Sequence, residues 1–390
     1  MLDLRRVAGQ MPALTAQLQQ ESQHYHRRLA HAQLLWHKAV SYQSTYQQWQ
    51  GEFPFAYALP AESLTNRYQP QPLELPHCVL ATDGSQIAPS RHESVYCYLI
   101  NIGRVAISYG TGSYPLLDSV PEVYYQPEHL YRGKQWGIST EDWMKWQRAI
   151  AESQHLAHLA THLPAPTLPT IALTDGSLIY WELENLPRPA RQEILTPIWS
   201  AWSELRSHNI PLVGYISAPR AVEAVNFLRL PACPYAYPDC AKHCADLALE
   251  NLPCGTVHPL RDASLWAQLL EVGQCSPLWQ SRALVLREYP AEHTIYFAYL
   301  HLGNEIARLE MPAWTACSPD LLNLALQSVL AQVQKGYGYP VALAEAHNQA
   351  VVSSGDRQRF FMILQSYLQQ AGISDLQITN KQTRKRSSIA

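Results

Sequence analysis

The chain has 390 residues, enough for one large domain or two ordinary ones. Hydrophobic residues make up 47% and charged residues only 16%, which excludes a disordered chain and allows a sizeable core. The net charge of -3 does not indicate a nucleic-acid binder, which more often carries a broad basic face, so any such binding must come from a local patch.

Targeting features are lacking in the sequence. No apolar run approaches the ~20 residues that a membrane span requires, and residues 1–20 lack the compact apolar stretch of a signal peptide. We therefore expect a soluble, cytoplasmic protein with no membrane contact. The eight cysteines are then expected to be reduced rather than paired in disulfides.

A long helix is predicted near the N-terminus. Residues 14–49 contain no proline or glycine, which favours a continuous helix that packs on the main domain or contacts a partner or a second copy. Residues 52–76 are rich in Pro, Tyr and Ala and predict an irregular connector. We expect residues 1–76 to form this N-terminal region, 77–379 to form one large domain, and 380–390 to form a basic, mobile tail.

The large domain is expected to open with three strands. An apolar strand over 77–82 ends at Asp83-Gly84-Ser85. Two further strand candidates, 94–101 and 104–109, are rich in Val, Ile and Tyr and are joined across Ile102-Gly103. Short links of this kind predict an antiparallel meander.

Helices and strands then alternate. A helix is predicted over 140–162, with Thr140 as its N-cap and acids in its first turn. The next strand, 170–174, again ends in Asp-Gly-Ser, at Asp175-Gly176-Ser177. A helix over 188–207, a strand over 211–217 and a short helix over 220–230 follow. This order predicts a mixed sheet flanked by helices, as in ribonuclease H-like α/β folds, although other α/β proteins share it.

The alternation stops at residues 231–290, which contain several prolines and cysteines and predict an insertion. Strands over 294–301 and 305–310 are expected to resume the sheet. Helices are expected over 319–335 and 356–370.

Two acids occupy equivalent places in the pattern. Asp83 and Asp175 each follow an apolar strand and precede a glycine, which lets the backbone turn beside a carboxylate that the strand holds in place. If the strands are neighbours, the two acids repel each other and favour a cation between them. Oxygen ligands favour Mg²⁺ or Mn²⁺ over zinc. The alternative, that each Asp-Gly-Ser is only a turn, stays open.

A third acid is expected from the intervening helix. Glu152 lies in an apolar, Ala-rich stretch between the two aspartates, although a single Glu on a helix is more often a solvated residue. Three carboxylates can hold one or two divalent ions, which orient water for in-line attack on phosphorus. The pattern therefore favours phosphodiester hydrolysis over acyl transfer.

Several short motifs carry a resemblance to a known family. They are Ala81-Thr82-Asp83-Gly84-Ser85-Gln86-Ile87, Pro89-Ser90-Arg91-His92, Leu173-Thr174-Asp175-Gly176-Ser177-Leu178, Gly338-Tyr339-Pro340 and Ala346-His347. In this order, over residues 77–360, they resemble the motifs of the NurA family of DNA end-processing nucleases.

The resemblance implies a dimeric, Mn²⁺-dependent nuclease that acts on DNA ends in double-strand break repair, with a HerA-type hexameric translocase as partner. It implies that Asp83, Glu152 and Asp175 are metal ligands. His347 would be a further ligand or a proton-transfer group, and Tyr339 would contact the reacting phosphate. A buried core histidine and a packed aromatic are the alternatives for these last two residues.

Basic residues near these motifs are candidates for DNA contacts. Arg91 and His92 follow the first Asp-Gly-Ser closely, and an Arg side chain offers a planar fork for phosphate. Arg188 and Arg191 begin a predicted helix. For all four, an exposed position without a DNA-binding role is the alternative.

Four cysteines lie close together in the insertion. Cys233, Cys240, Cys244 and Cys254 fall within about twenty residues, and four thiolates can close a structural Zn²⁺ site or hold an iron–sulfur cluster. Their spacing departs from paired C-x2-C motifs, so unligated thiols are the alternative.

Two other functions use the same sequence features. Actin-like and sugar-kinase-like proteins also place Asp-Gly turns at strand ends, around ATP phosphates. A non-catalytic scaffold that binds DNA or a translocase is the second alternative.

Overall fold

The computed structural model describes residues 2–49, 53–89, 95–162 and 168–373, apart from the side chain at 250. Arg91, His92 and the tail over 380–390 lie outside the described residues.

Helices and strands alternate along most of the described chain. The helices are α1 (Leu4–Ser41), α2 (Gln43–Gln48), α3 (Pro127–Tyr131), α4 (Thr140–His162), α5 (Arg188–Ser207), α6 (Glu223–Phe227), α7 (Arg229–Ala232), α8 (Cys240–His243), α9 (Asp262–Leu269), α10 (Ala313–Ala316), α11 (Pro319–Lys335), α12 (Val341–Ala350) and α13 (Ser354–Gln370). The strands are β1 (Ala58–Pro60), β2 (His77–Ile87), β3 (Tyr98–Tyr109), β4 (Leu116–Tyr124), β5 (Thr170–Asp175), β6 (Leu212–Ile216), β7 (Trp279–Ser281), β8 (Ile295–His301) and β9 (Ile306–Pro312). This is the predicted mixed α/β class with a long N-terminal helix.

The described residues divide into two compact units. The first unit takes in the described parts of Met1–Pro70, Ser177–Ile179 and Tyr215–Ala316, and the second those of Gln71–Gly176, Tyr180–Gly214 and Cys317–Ala390. The five residues expected to form the catalytic centre all belong to the second unit.

The second unit is built on a mixed arrangement of strands. β2 pairs antiparallel with β3, β3 pairs antiparallel with β4, and β2 pairs parallel with β5. Helices α4 and α12 both contact β2 and β3. The predicted meander and the predicted pairing of the two motif-bearing strands are therefore present.

The first unit carries its own core and a buried ion network. Strands β1, β7, β8 and β9 pair antiparallel in this order, and the C-terminal half of α1 packs against them through Trp36. Arg308 is almost fully buried and pairs with Glu223 at 2.6 Å and with Glu310 at 2.7 Å. These acids offset the cost of burying the guanidinium.

Several sequence-based boundaries are wrong. The two strands expected over 94–101 and 104–109 are one continuous strand, β3, as far as the chain is described, and the third strand of the meander is the unpredicted β4. Helix α1 begins ten residues earlier than expected, at Leu4, with the Asp3 carboxylate accepting from the first backbone N–H groups.

Two helix details also differ from expectation. The first turn of α4 is capped by Ser139, whose hydroxyl accepts from the Asp142 N–H at 3.0 Å, so Thr140 is not the N-cap. Helix α12, which carries His347, was not predicted at all. By contrast, α5 and α11 have the predicted bounds.

Candidate active site

Strand β2 runs through the first Asp-Gly-Ser motif instead of ending before it. Side chains alternate between the two faces of a strand. The Thr82 hydroxyl donates to the Glu152 carbonyl of α4 at 3.0 Å. The Ser85 hydroxyl donates to the Ala350 carbonyl of α12. Thr82 therefore faces α4, whereas Asp83 and Ser85 point to the face that α12 covers.

Beside β2 the sheet has a gap, because the neighbouring strand β5 ends before β2 does. Side chains from both faces of the sheet can approach each other there. β5 pairs with β2 up to Thr174, which lies opposite Thr82, and ends one residue later at Asp175. β2 continues past this level. The Asp83 carboxylate accepts the N–H of Gly84 at 2.8 Å. Asp83 and Asp175 thus stand at the same level on adjacent strands, and we call this place the β2–β5 notch.

Glu152 reaches the notch because Gly84 has no side chain. A Cβ at Gly84 would lie 2.5 Å from Glu152 Oε1. The Glu152 side chain is 22% exposed, and Arg148 Nε lies 3.2 Å from Oε1. Burial raises the pKa of Glu152 to about 7, with Arg148 opposing the rise. The charges of Asp83 and Asp175 add to it, so the three acids are electrostatically coupled.

Asp175 ends β5, as the sequence predicts. Gly176 follows it with φ at +101°, a left-handed backbone conformation that favours glycine. Burial raises the pKa of Asp175, and a hydrogen bond from the Tyr339 side chain opposes this rise. Asp83 raises the pKa further, whereas His347 lowers it. Tyr339 and His347 are therefore both close enough to Asp175 to act on its charge.

His347 approaches from α12. Its Nδ1 lies 2.8 Å from Asp83 Oδ2, and its side chain is 67% exposed, so it is not a buried core histidine. α12 can lie this close to the sheet because Gly103 has no side chain, since a Cβ there would collide with the Ala346 carbonyl. Asn101 donates to the last carbonyls of α12 and secures the helix end.

The donor set of the notch suits a hard divalent cation. Three coupled carboxylates concentrate negative charge, and oxygen with imidazole nitrogen matches Mn²⁺ or Mg²⁺. Among the described residues, no three His, Cys, Asp or Glu side chains stand as a ready-made ligand set. The side chains would therefore have to adjust their rotamers to share an ion.

Sequence reasoning missed two neighbours of Glu152. Arg148 pairs with it and also donates to Gln86 Oε1 at 3.1 Å; the four-residue spacing on one helix face was the signal that could have found it. Tyr180 is the second: burial raises its pKa, the Glu152 charge adds to the rise, and a hydrogen bond with Ser153 opposes it. No local pattern marks Tyr180.

The other candidate residues lie elsewhere. Arg188 and Arg191 are in the first turn of α5, and their contact with DNA stays a prediction. Arg91 and His92 are outside the described residues. The serine of the second Asp-Gly-Ser, Ser177, donates to Glu310 in the first unit at 2.8 Å.

Comparisons with known proteins show a family and a fold that this chain shares. A family model described as the NurA domain matches residues 77–352. The crystal structure of the NurA nuclease from Sulfolobus solfataricus matches with a TM-score of 0.50 at 12% identity, over 95% of this chain and 98% of that one. No relative is found among curated proteins. None of the described helices has the length and apolar character needed to cross a membrane.

The structural likeness shows that the chain has a mixed α/β fold like that of the Sulfolobus solfataricus protein, which confirms the predicted fold class. Within this class the assignment follows from the family model, which covers more than half of the sequence. The chain belongs to the NurA family.

Proposed function

We propose that the protein is a metal-dependent nuclease that hydrolyses phosphodiester bonds in DNA. The observation that carries this proposal is the electrostatic coupling of Asp83, Glu152 and Asp175 at the β2–β5 notch. Two of these acids have pKa values raised by burial and by their neighbours, so a bound divalent cation would relieve an existing repulsion.

Asp83, Glu152 and Asp175 would hold one or two Mn²⁺ or Mg²⁺ ions, with His347 as a candidate fourth ligand. When bound, the metal supplies Lewis-acid stabilisation of the phosphate and lowers the pKa of a bound water. The strand backbone fixes Asp83 and Asp175. Arg148 forms a 3.2 Å ion pair with Glu152 and keeps this carboxylate beside Gly84.

His347 and Tyr339 are placed for supporting roles. With Nδ1 oriented by Asp83, His347 can present Nε2 to water or to a leaving oxygen, as a histidine held by a carboxylate does in general acid–base catalysis. Tyr339 donates to Asp175, and its hydroxyl can turn to a phosphate oxygen. The exposure of His347 leaves its side chain accessible to a large substrate.

The finer biological assignments rest on the family. We propose action at DNA ends during double-strand break repair, in the cytoplasm, with a second copy of the chain and a HerA-type translocase as partners. Arg91, His92, Arg188 and Arg191 are the proposed phosphate contacts.

The test compares wild type with Asp83→Asn on linear duplex DNA, with Mn²⁺, with Mg²⁺ and with EDTA. We expect metal-dependent cleavage in wild type and a loss of about 10³-fold in the variant, because one ligand of the ion becomes neutral. Asp142→Asn, an exposed acid on the same unit, is the matched control. Equal cleavage by Asp83→Asn and wild type would contradict the mechanism. Absence of cleavage in wild type, even with a translocase present, would favour the non-catalytic scaffold, and ATP binding by calorimetry would favour the kinase-like alternative.

A further inference from the structure

Four cysteines of the first unit surround one small cavity. Cys233 follows α7, Cys240 and Cys244 lie one helical turn apart around α8, and Cys254 follows the next loop. The cavity is about 10 Å³, and its remaining lining consists of three prolines, Tyr235 and Asp239. This space holds about one water-sized sphere. Segments separated by up to twenty residues thus bring four thiols to a single place.

The thiols are close enough to influence one another. Burial raises the pKa of Cys240 to about 11, and the further causes, in decreasing order, are Cys244, Cys254, Cys233 and Asp239. All four are free cysteines. His243 is stacked on Tyr235, with ring centroids 4.1 Å apart, and does not line the cavity. The Asp239 carboxylate does line it and accepts the Lys242 N–H at 3.0 Å, so thiols outnumber carboxylates four to one among the side chains that line the cavity.

A buried cation lies beside the cluster. Arg229 is only 4% exposed, and its Nε donates to Asn226 at 2.8 Å. Its Nη1 has no hydrogen-bond partner within the described part of the chain. Burial raises the pKa of Cys254, whereas the charge of Arg229 and a hydrogen bond from it lower that pKa. A buried guanidinium is costly unless negative charge stands nearby, and thiolates at this cavity would supply it.

We propose that Cys233, Cys240, Cys244 and Cys254 bind one Zn²⁺ ion as four thiolates. Binding of the ion releases four protons and gives a centre of net charge -2, which Arg229 partly offsets. Among the described residues, no three His, Cys, Asp or Glu side chains form a ready-made ligand set, so binding requires the four sulfurs to move inward to ~2.3 Å from the metal. The small cavity favours a single ion over an iron–sulfur cluster. The zinc ties α7, α8 and the following loop together and has no part in the nuclease centre.

Metal content of the full-length protein tests this site. After reconstitution with Zn²⁺ under reducing conditions, we expect about one zinc per chain in wild type. Cys240→Ser and Cys244→Ser should each lose most of it. Cys317→Ser, which removes an exposed cysteine outside the cluster, should retain it. Asp83→Asn should also retain it, which separates this site from the nuclease centre.

A second measurement does not depend on the variants folding. Replacement of zinc by Co²⁺ in wild type should give the visible absorption of a tetrahedral cobalt–thiolate centre. Wild type that binds neither ion would overturn the proposal. Iron together with acid-labile sulfide bound at the same cysteines would also overturn it, because the site would then be an iron–sulfur cluster site.

Discussion

Replacing Glu152 with Gln should remove a pH-dependent loss of stability. Burial raises the pKa of Glu152 from 4.5 to about 7, with Arg148 opposing and Asp83 and Asp175 adding to the rise. A raised carboxyl pKa means that the folded state binds the proton more tightly than the unfolded state. The stabilisation is therefore complete below the unfolded value and is lost as the pH rises towards about 7. The neutral amide of the Glu152→Gln variant mimics the protonated acid at every pH.

The size of this stability change follows from the rise in the pKa of Glu152. At ~1.4 kcal/mol per pKa unit, the rise corresponds to roughly 3.4 kcal/mol, of which about 2.5 kcal/mol falls between about pH 5 and about pH 8. Because the side chain is 22% exposed, these figures are upper limits. In urea unfolding with EDTA, the free energy of unfolding of the variant relative to wild type should rise by up to this amount as the pH increases over the same range.

The pH dependence of Glu152→Gln can be checked against a control variant. Other titrating groups are common to both proteins and cancel in the difference, and Asp142→Asn reports on an exposed acid of the same helix. A stability difference between Glu152→Gln and wild type that stays constant with pH would refute the burial argument. Mn²⁺ at about pH 8 should then stabilise wild type more than the variant, because the metal favours the ionised carboxylate.

Two further predictions concern a glycine of the active site and the buried ion network. Gly84→Ala places a Cβ 2.5 Å from Glu152 Oε1 and should lower metal-dependent cleavage by about 10²-fold through displacement of this carboxylate. Gly9→Ala, where nothing lies within 4 Å of a Cβ, should leave cleavage unchanged, and equal rates for both variants would contradict the role of Gly84. Arg308→Met leaves two buried glutamates without their cation and should reduce the free energy of unfolding by about 3–5 kcal/mol. A loss below about 1 kcal/mol in urea unfolding would contradict the stabilising role of this buried ion network.

The long helices were predictable because their signals are local. α5 and α11 each begin with a proline in the first turn and show apolar residues at helical spacing. α4 has acids in its first turn and carries three prolines soon after its end. Periodicity and terminal residues determine such elements almost without reference to the rest of the chain.

The glycines misled the strand prediction. Gly84 and Gly103 were interpreted as turn residues, yet both lie inside continuous strands. Both glycines are needed for the close packing of helices against the sheet. A Cβ at Gly84 would displace Glu152 of α4, and one at Gly103 would collide with Ala346 of α12. A glycine that makes room for a distant helix cannot be told from a turn glycine by its neighbours in sequence.

Some residues of the candidate site could be predicted from the sequence, and others could not. Asp83 and Asp175 are visible as a repeated motif, and Glu152 was reached from its place in an apolar helix between them. His347 was reached only by resemblance to the family. Tyr180 has no local signal, since its link to Glu152 arises only from packing.

The sequence by itself determined the class of fold, the principal helices and the two aspartates, because composition, periodicity and short motifs act over a few neighbouring residues. Only the tertiary structure decided that β2 continues beyond β5 and that Glu152 of α4 and His347 of α12 both approach the resulting notch. It also decided the burial that raises the pKa of Glu152 to about 7. Desolvation and charge coupling depend on distances between remote segments, and these exist only once the chain has folded.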